Sequence, residues 1–184
     1  MSIPVSIDPL GTLGDVELVD EYVTGITLSI PTGLTLKDSL GFEVTAEVRN
    51  SSVFDFAGWA YLFYLGGLSA TGWFGMQHFG GRDQTVWTAG NNGGSNDNVR
   101  LEADAELFLV LNKDGLRVNG TLNSFPTSVA KNKTTEAILK CSNLCLIKKI
   151  TFTNNGVLVC NIRAARTKGM PCLVDTVTGI IYKP

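Results

Sequence analysis

Apolar residues recur at every second position through much of this chain, the period of strands that bury one face. Phe42, Val44, Ala46 and Val48 alternate with Glu43, Thr45, Glu47 and Arg49, which predicts a half-buried strand. Ile26, Leu28 and Ile30 predict another, closed by Pro31 to Gly33. From Ala57 to Leu65 the pattern changes to a nearly continuous apolar run, too short and too aromatic for a helix. It predicts a strand buried on both faces, central in one sheet and ended by Gly66-Gly67. Trp73 to Met76 and Thr85 to Thr88 predict short strands joined by Gly80-Gly81-Arg82-Asp83. Gly90 to Asn98 has no apolar residue and predicts an exposed loop. Val99 to Asn112 is the longest alternating segment. Val99, Leu101, Ala103, Ala105, Leu107, Leu109 and Leu111 fall on one side, and Arg100, Glu102, Asp104 and Glu106 on the other. No segment carries a helical period.

Turn residues divide the rest into hairpins. Asp114-Gly115 and Asn119-Gly120 make tight turns around Leu116-Arg117-Val118. Asn155-Gly156, between Ile150-Thr-Phe-Thr and Val157-Leu-Val, is a strong hairpin signal, because both central residues of a type I′ turn need positive φ. A two-residue loop sets Phe152 opposite Val159, with Ile150 on the same face as Phe152. Thr178-Gly179 predicts a closing hairpin between Leu173 to Val177 and Ile180 to Tyr182.

These last residues also carry a resemblance. Asn155-Gly156-Val157-Leu158-Val159 followed by Asp175-Thr176-Val177-Thr178-Gly179 resembles the C-terminal end of the concanavalin A-like (LamG-like) jelly-roll domains of bacteriophage virion proteins. The passage Asn112-Lys-Asp-Gly-Leu-Arg-Val-Asn-Gly-Thr-Leu122 is similar to another hairpin of that family, so the likeness covers about the last eighty residues. The first half matches only in strand order. Arg163-Ala164 stands where the family has an apolar residue and a proline, and Val174 where it has a tyrosine. The resemblance implies an all-β, two-sheet antiparallel jelly-roll sandwich.

Composition narrows the functional classes. At 184 residues, one two-sheet core is within reach and no second domain is needed. A net charge of −2 gives no basic surplus for nucleic acid, and no apolar run is long enough to span a bilayer as a helix. The N-terminus lacks the charged and apolar regions of a signal peptide, so the expected site of synthesis is a cytoplasm, which the resemblance to bacteriophage proteins implies is that of a bacterial host. Residues 1–20 read as an extended arm before a jelly-roll domain at 21–184. Pro4, Pro9, Gly11 and Gly14 interrupt the arm, yet Ile3, Val5, Ile7 and Leu10 are too apolar for a solvated linker. An arm lying on a neighbouring subunit accounts for both features.

Candidate chemistry is sparse. On a strand Glu102, Asp104 and Glu106 would share a face, similar to the acidic strand of concanavalin-like retaining glycosidases, whose carboxyls sit about 5 Å apart. Here the acidic strand runs straight into the Asp114-Gly115 hairpin, whereas in those enzymes it lies well before the corresponding hairpin; a hydrolase is disfavoured. His78, the single histidine, sits beside aromatics with no nucleophile elbow in the chain. Gly90 to Gly94 lacks the lysine and the helix of a phosphate loop. Asn96-Asp97-Asn98 offers oxygen ligands for calcium, the composition of many polar loops. Cys141, Cys145, Cys160 and Cys172 are irregularly spaced with no histidine near, and read as reduced, buried apolar side chains rather than zinc ligands.

A glycan site has better chemistry. Trp73 and Trp87 supply stacking plates, and Asp83, Asn91 and Asn92 supply hydrogen-bonding groups for hydroxyls. Core packing is the competing reading for both tryptophans. The expectation is therefore a non-enzymatic virion accessory protein without cofactor or metal, either a capsid decoration protein or a small fibre or tail component. It would form homo-oligomers, bind other virion proteins and take up surface or mucosal glycans. A freestanding glycan-binding adhesin is the alternative.

Overall fold

The computed structural model describes residues 15–23, 26–35, 38, 41–50, 59–66, 73–79, 85–90, 95–100, 104–124, 136–142 and 145–184. In chain order the strands are β1 (Val16–Leu18), β2 (Leu28–Thr35), β3 (Phe42–Asn50), β4 (Trp59–Gly66), β5 (Trp73–Phe79), β6 (Thr85–Gly90), β7 (Ser95–Arg100) and β8 (Glu106–Asn112). They continue with β9 (Gly115–Val118), β10 (Thr121–Ser124), β11 (Glu136–Cys141), β12 (Cys145–Asn154), β13 (Val157–Thr167), β14 (Met170–Asp175) and β15 (Ile181–Tyr182). Among the described residues there is no helix.

The strands form two antiparallel sheets, the arrangement of a β-sandwich. A nine-stranded sheet has the order β10-β9-β8-β3-β12-β13-β14-β15, with β1 added on β13, and a six-stranded sheet has the order β2-β11-β4-β5-β6-β7. One core lies between them. Leu28, Ile30, Phe63, Leu65, Ala137 and Leu139 reach it from the smaller sheet; Phe42, Val44, Ala46, Val48, Leu107, Leu109, Leu111, Ile150 and Phe152 reach it from the larger. The alternation of β3 and β8 is the cause, since every second side chain of each strand meets the other layer. In β4, Phe63 and Leu65 face this core while Tyr64 is buried on the opposite face, as its continuous apolar run requires.

Three sequence expectations are corrected. Pro31 to Gly33 does not close β2, which runs on to Thr35. β2 is an edge strand, where a residue lacking an N–H is tolerated, and its pairing with β11 shifts register between Glu136 and Ile138. Val99 to Asn112 is not one strand. Asp104 has φ 58° in a turn, so β7 ends at Arg100 in the smaller sheet and β8 starts at Glu106 in the larger. Gly90 to Asn98 is not wholly loop either: Ser95–Arg100 pairs with β6, and only 91–94 lie outside the described residues.

The Asn155-Gly156 turn forms with φ of 49° and 76°, the positive pair that type I′ demands. Its register departs from expectation by one residue. Asn154 opposes Val157 and Thr153 opposes Leu158, but Phe152 opposes Cys160, so Val159 is an extra residue in a bulge. The bulge brings Cys160, not Val159, to the fully buried position beside Phe152.

β1 occupies a gap in the larger sheet. The β12–β13 ladder ends at Lys149 and Arg163 while β12 continues to Cys145 on β3, so the two strands part, and β1 takes the freed flank of β13, with Val16 opposite Thr167 and Leu18 opposite Ala165. Val19 N donates to the Ala164 carbonyl at 3.0 Å, and Val23 exchanges two 2.9 Å bonds with Ile147. The part of the expected arm that is described, from Asp15 on, thus belongs to the sheet; Ile3, Val5, Ile7 and Leu10 lie outside the described residues. On the outer face of the same sheet Ala165, Cys172, Val174 and Ile181 form a second small cluster, against which Val16 packs. Ala164 and Ala165 belong to different clusters because successive strand residues point to opposite faces.

Candidate functional site

The residues proposed for glycan binding fall on and around β5 and β6. Asp83, Asn91 and Asn92 lie outside the described residues, whereas Trp73 opens β5 and Trp87 lies in β6. Pairing sets Trp87 opposite Gln77 and Gly90 opposite Phe74, so Trp73 and Trp87 are offset by about four residues, roughly 13 Å, along neighbouring strands. Asp83 belongs to the connection before β6 and Asn91 and Asn92 to the one after it, at the two ends of that strand. The backbone thus places one tryptophan near one end of the β5–β6 pair and the other within it. Of the residues weighed for calcium, Asn96, Asp97 and Asn98 lie on β7 rather than in a loop, with Asp97 opposite Trp87. His78 lies on β5 opposite Ala60 and Val86.

The acidic trio does not share one strand face. Asp104 is in the turn, Glu106 is the first residue of β8, and Glu102 lies outside the described residues. Glu106 is also engaged. Arg49 Nη2 donates to its Oε1. This pairing follows from the register, since Arg49 and Glu106 are direct cross-strand partners.

Around that pair the chain assembles a polar cluster with no local sequence signal. The Arg49 guanidinium lies 4.5 Å from the Tyr22 ring centroid, and Lys148 Nζ lies 5.9 Å from it. Lys148 is also ion-paired to Asp20 at 2.9 Å and to Glu47 at 3.7 Å. Burial, then the charge of Glu106, push the Tyr22 hydroxyl above its ordinary pKa, and the bond to Asp20 raises that of Lys148. Lys148 comes to Tyr22 because it is the unpaired residue where β12 shifts register on β3, between Ile147 and Lys149. The charges are mixed and mutually compensated, which suits fastening the 19–23 segment to the sheet better than holding an anionic or cationic ligand.

The densest hydrogen-bond network lies in the C-terminal motif. Asp175, the one buried charged residue among those described, accepts from Asn161 N and Val177 N at 3.0 Å each and from Thr178 Oγ1 at 2.7 Å. Asn161 Nδ2 donates to Thr176 Oγ1 at 2.7 Å, and Thr176 N donates to the Asn161 carbonyl at 2.9 Å. Gly179 N reaches the Asp175 carbonyl at 2.7 Å and closes the loop. Three donors make a buried carboxylate tolerable, and they tie the β14–β15 turn to β13. Burial, with Asp175 adding to it, pushes the Cys160 thiol up to about 12. Tyr182 is also pushed up to about 12 by the same two causes.

All four cysteines are buried and none forms a disulfide. Among the described residues no group of three or more His, Cys, Asp or Glu side chains is placed to hold a metal ion. Comparison with protein-family models, curated proteins and solved structures finds no match to this chain.

Proposed function

We propose that this chain is a structural accessory protein of a bacteriophage virion, built on a concanavalin A-like jelly roll, either a capsid decoration protein or a small fibre or tail component. The observation that carries the reading is the Asp175 network. The Asp175 to Gly179 stretch, one of the passages that carry the resemblance to virion jelly rolls, ties the last hairpin to β13 through the buried Asp175 carboxylate in a two-sheet all-β fold. Asp175, which the likeness includes, is thus a buried anchor of the last hairpin. The described carboxylates Glu106 and Asp175 are engaged within the molecule, in keeping with a binding role rather than bond cleavage.

The partners are other virion proteins and further copies of this chain, reached through the apolar N-terminal residues Ile3, Val5, Ile7 and Leu10. Light scattering and co-sedimentation with purified particles test this on the full chain and on residues 15–184. The full chain is expected to oligomerise or to bind particles, and the truncated chain to stay folded and do neither. Equal association of the two chains overturns the role of the arm. A glycan-array signal that falls in Trp87→Ala, with no assembly by either chain, replaces this reading with the adhesin. Release of reducing ends from β-glucans or galactans, abolished in Glu102→Gln, replaces it with a hydrolase.

A further inference from the structure

The chain has three Asn-Gly pairs, Asn92-Gly93, Asn119-Gly120 and Asn155-Gly156. The first lies outside the described residues. The other two form exposed turns of nearly the same shape, with φ of 48° and 88° in one and 49° and 76° in the other. Their side chains are held differently. Asn119 Oδ1 accepts from Phe108 N at 2.8 Å and Asn119 Nδ2 donates to the Glu106 carbonyl at 3.4 Å, so this carboxamide is clamped to β8. The Asn155 carboxamide makes no hydrogen bond to any described residue; it rests on Gly41, where a Cβ would collide with it.

We infer that Asn155 is a modification site, at which water converts the side-chain amide to an isoaspartyl linkage through a cyclic imide. The first step is intramolecular and needs no oxidant or reductant. Gly156 N attacks Asn155 Cγ and a C–N bond forms. Hydroxide takes the Gly156 N proton, and the side-chain nitrogen leaves as ammonia after taking a proton from water. A second water then opens the ring. Cleavage on the Cγ side gives aspartate. Cleavage on the main-chain carbonyl side leaves Gly156 N bonded to Cγ, which is the isoaspartyl form. Glycine favours this chemistry because it has no side chain to crowd the attacking nitrogen, and around Gly156 the space for one is open.

The side chain must swing toward the following nitrogen, so any hydrogen bond that holds the carboxamide elsewhere has to break first. Asn119 gives up two such bonds in that swing, and Asn155 gives up none. The folded chain is therefore expected to convert Asn155 about tenfold faster than Asn119, the factor that about 1.4 kcal/mol of barrier represents. The isoaspartyl form inserts a methylene into the main chain of a two-residue turn and adds a carboxylate. Asn155 N donates to the Gly41 carbonyl at 2.8 Å across that turn, so the conversion frees the tip of the β12–β13 hairpin from the segment that leads into β3.

The test uses the full wild-type chain, incubated at pH 7 and pH 9 with and without urea, then digested with trypsin at mildly acidic pH, where the imide chemistry is slow. The two turns fall in separate peptides, Ile150 to Arg163 and Val118 to Lys131. In the folded chain the first is expected to gain the mass of a hydroxyl in place of an amine, with fragmentation placing isoaspartate at position 155. The reaction should be faster at pH 9, and the second peptide should lag about tenfold. In urea the two should convert at similar rates. Reacted protein, separated by anion exchange, should exchange amide hydrogens faster at the 154–157 turn than unreacted protein. Equal rates for the two turns in the folded chain, conversion only in urea, reaction at Asn154 or Asn161 instead of Asn155, or unchanged exchange at the turn each overturns the proposal. No variant is needed, so a folding defect cannot obscure the result.

Discussion

At the scale of single residues, one buried carboxylate organises its neighbourhood. Asp175 holds two backbone N–H groups and a hydroxyl, and its charge adds to the burial that keeps the Cys160 thiol and the Tyr182 phenol protonated. Ordinary values for these groups are 9.0 and 10.0, and the folded chain moves both to about 12. Below pH 9 both groups are protonated whether the chain is folded or not, and pH has no effect through them. Between pH 9 and about 12 the unfolded chain releases protons that the folded chain keeps, so stability falls as pH rises. Urea titrations at steps from pH 8 to 12 should show this decline, and Tyr182→Phe should reduce its slope. Asp175→Asn should also reduce it, while lowering stability at pH 7 by about 1–3 kcal/mol through weakened hydrogen bonds. A flat profile in the unaltered chain would show that neither group is held protonated. None of this was legible beforehand: Asp-Thr-Val-Thr-Gly announces a turn, but not that its first residue is buried.

Among elements, period-2 patterning located strands well wherever one face met the core, as in β3 and β8. It failed where a pattern continued through a break. Val99 to Leu111 keeps an apolar residue at every second position, yet the chain changes sheet within it; the pattern records which side is apolar and is silent on which layer that side belongs to. The Asn155-Gly156 turn was legible because only φ matters there, whereas the bulge at Val159 depends on how Cys160 meets the core. Two glycines illustrate the same division. Around Gly156 a Cβ would meet nothing within 4 Å, so Gly156→Ala carries only the strain of φ 76°, about 1 kcal/mol. A Cβ on Gly75, where φ is 152°, would run into the Phe63 carbonyl oxygen and the Tyr64 backbone of β4. Gly75→Ala should cost about 3 kcal/mol or more, because two paired strands must separate to admit it. Thermal unfolding of the two variants should rank them in that order. A similar loss in both would mean that β4 and β5 lie farther apart at this point.

For the whole molecule, the two-sheet plan could be read from composition, turns and the C-terminal likeness. How the N-terminal segment joins it could not. Tyr22 meets Arg49 and Lys148 across long sequence separations, and β1 fits a gap that exists only because β12 and β13 part beyond Lys149 and Arg163. These facts separate two truncations. Removing residues 1–14 leaves β1, the Val23–Ile147 bridge, the Lys148–Asp20 and Arg166–Glu21 ion pairs and the Tyr22 ring in place. Removing residues 1–23 takes all of them and deletes the buried Val23 from the core. It also leaves the Ala164 carbonyl and both backbone groups of Ile147 without their partners. The exposed ion pairs contribute little, but a lost buried aliphatic and three orphaned backbone groups together should cost about 3–5 kcal/mol. The chain from residue 15 is therefore expected to match the full chain in urea midpoint, and the chain from residue 24 to unfold at clearly lower urea or to be recovered only as aggregate. A full-strength midpoint for the shorter chain would show that the 15–23 segment adds nothing to the sandwich. The first fourteen residues and the nine that follow would then have to be treated as a single dispensable arm.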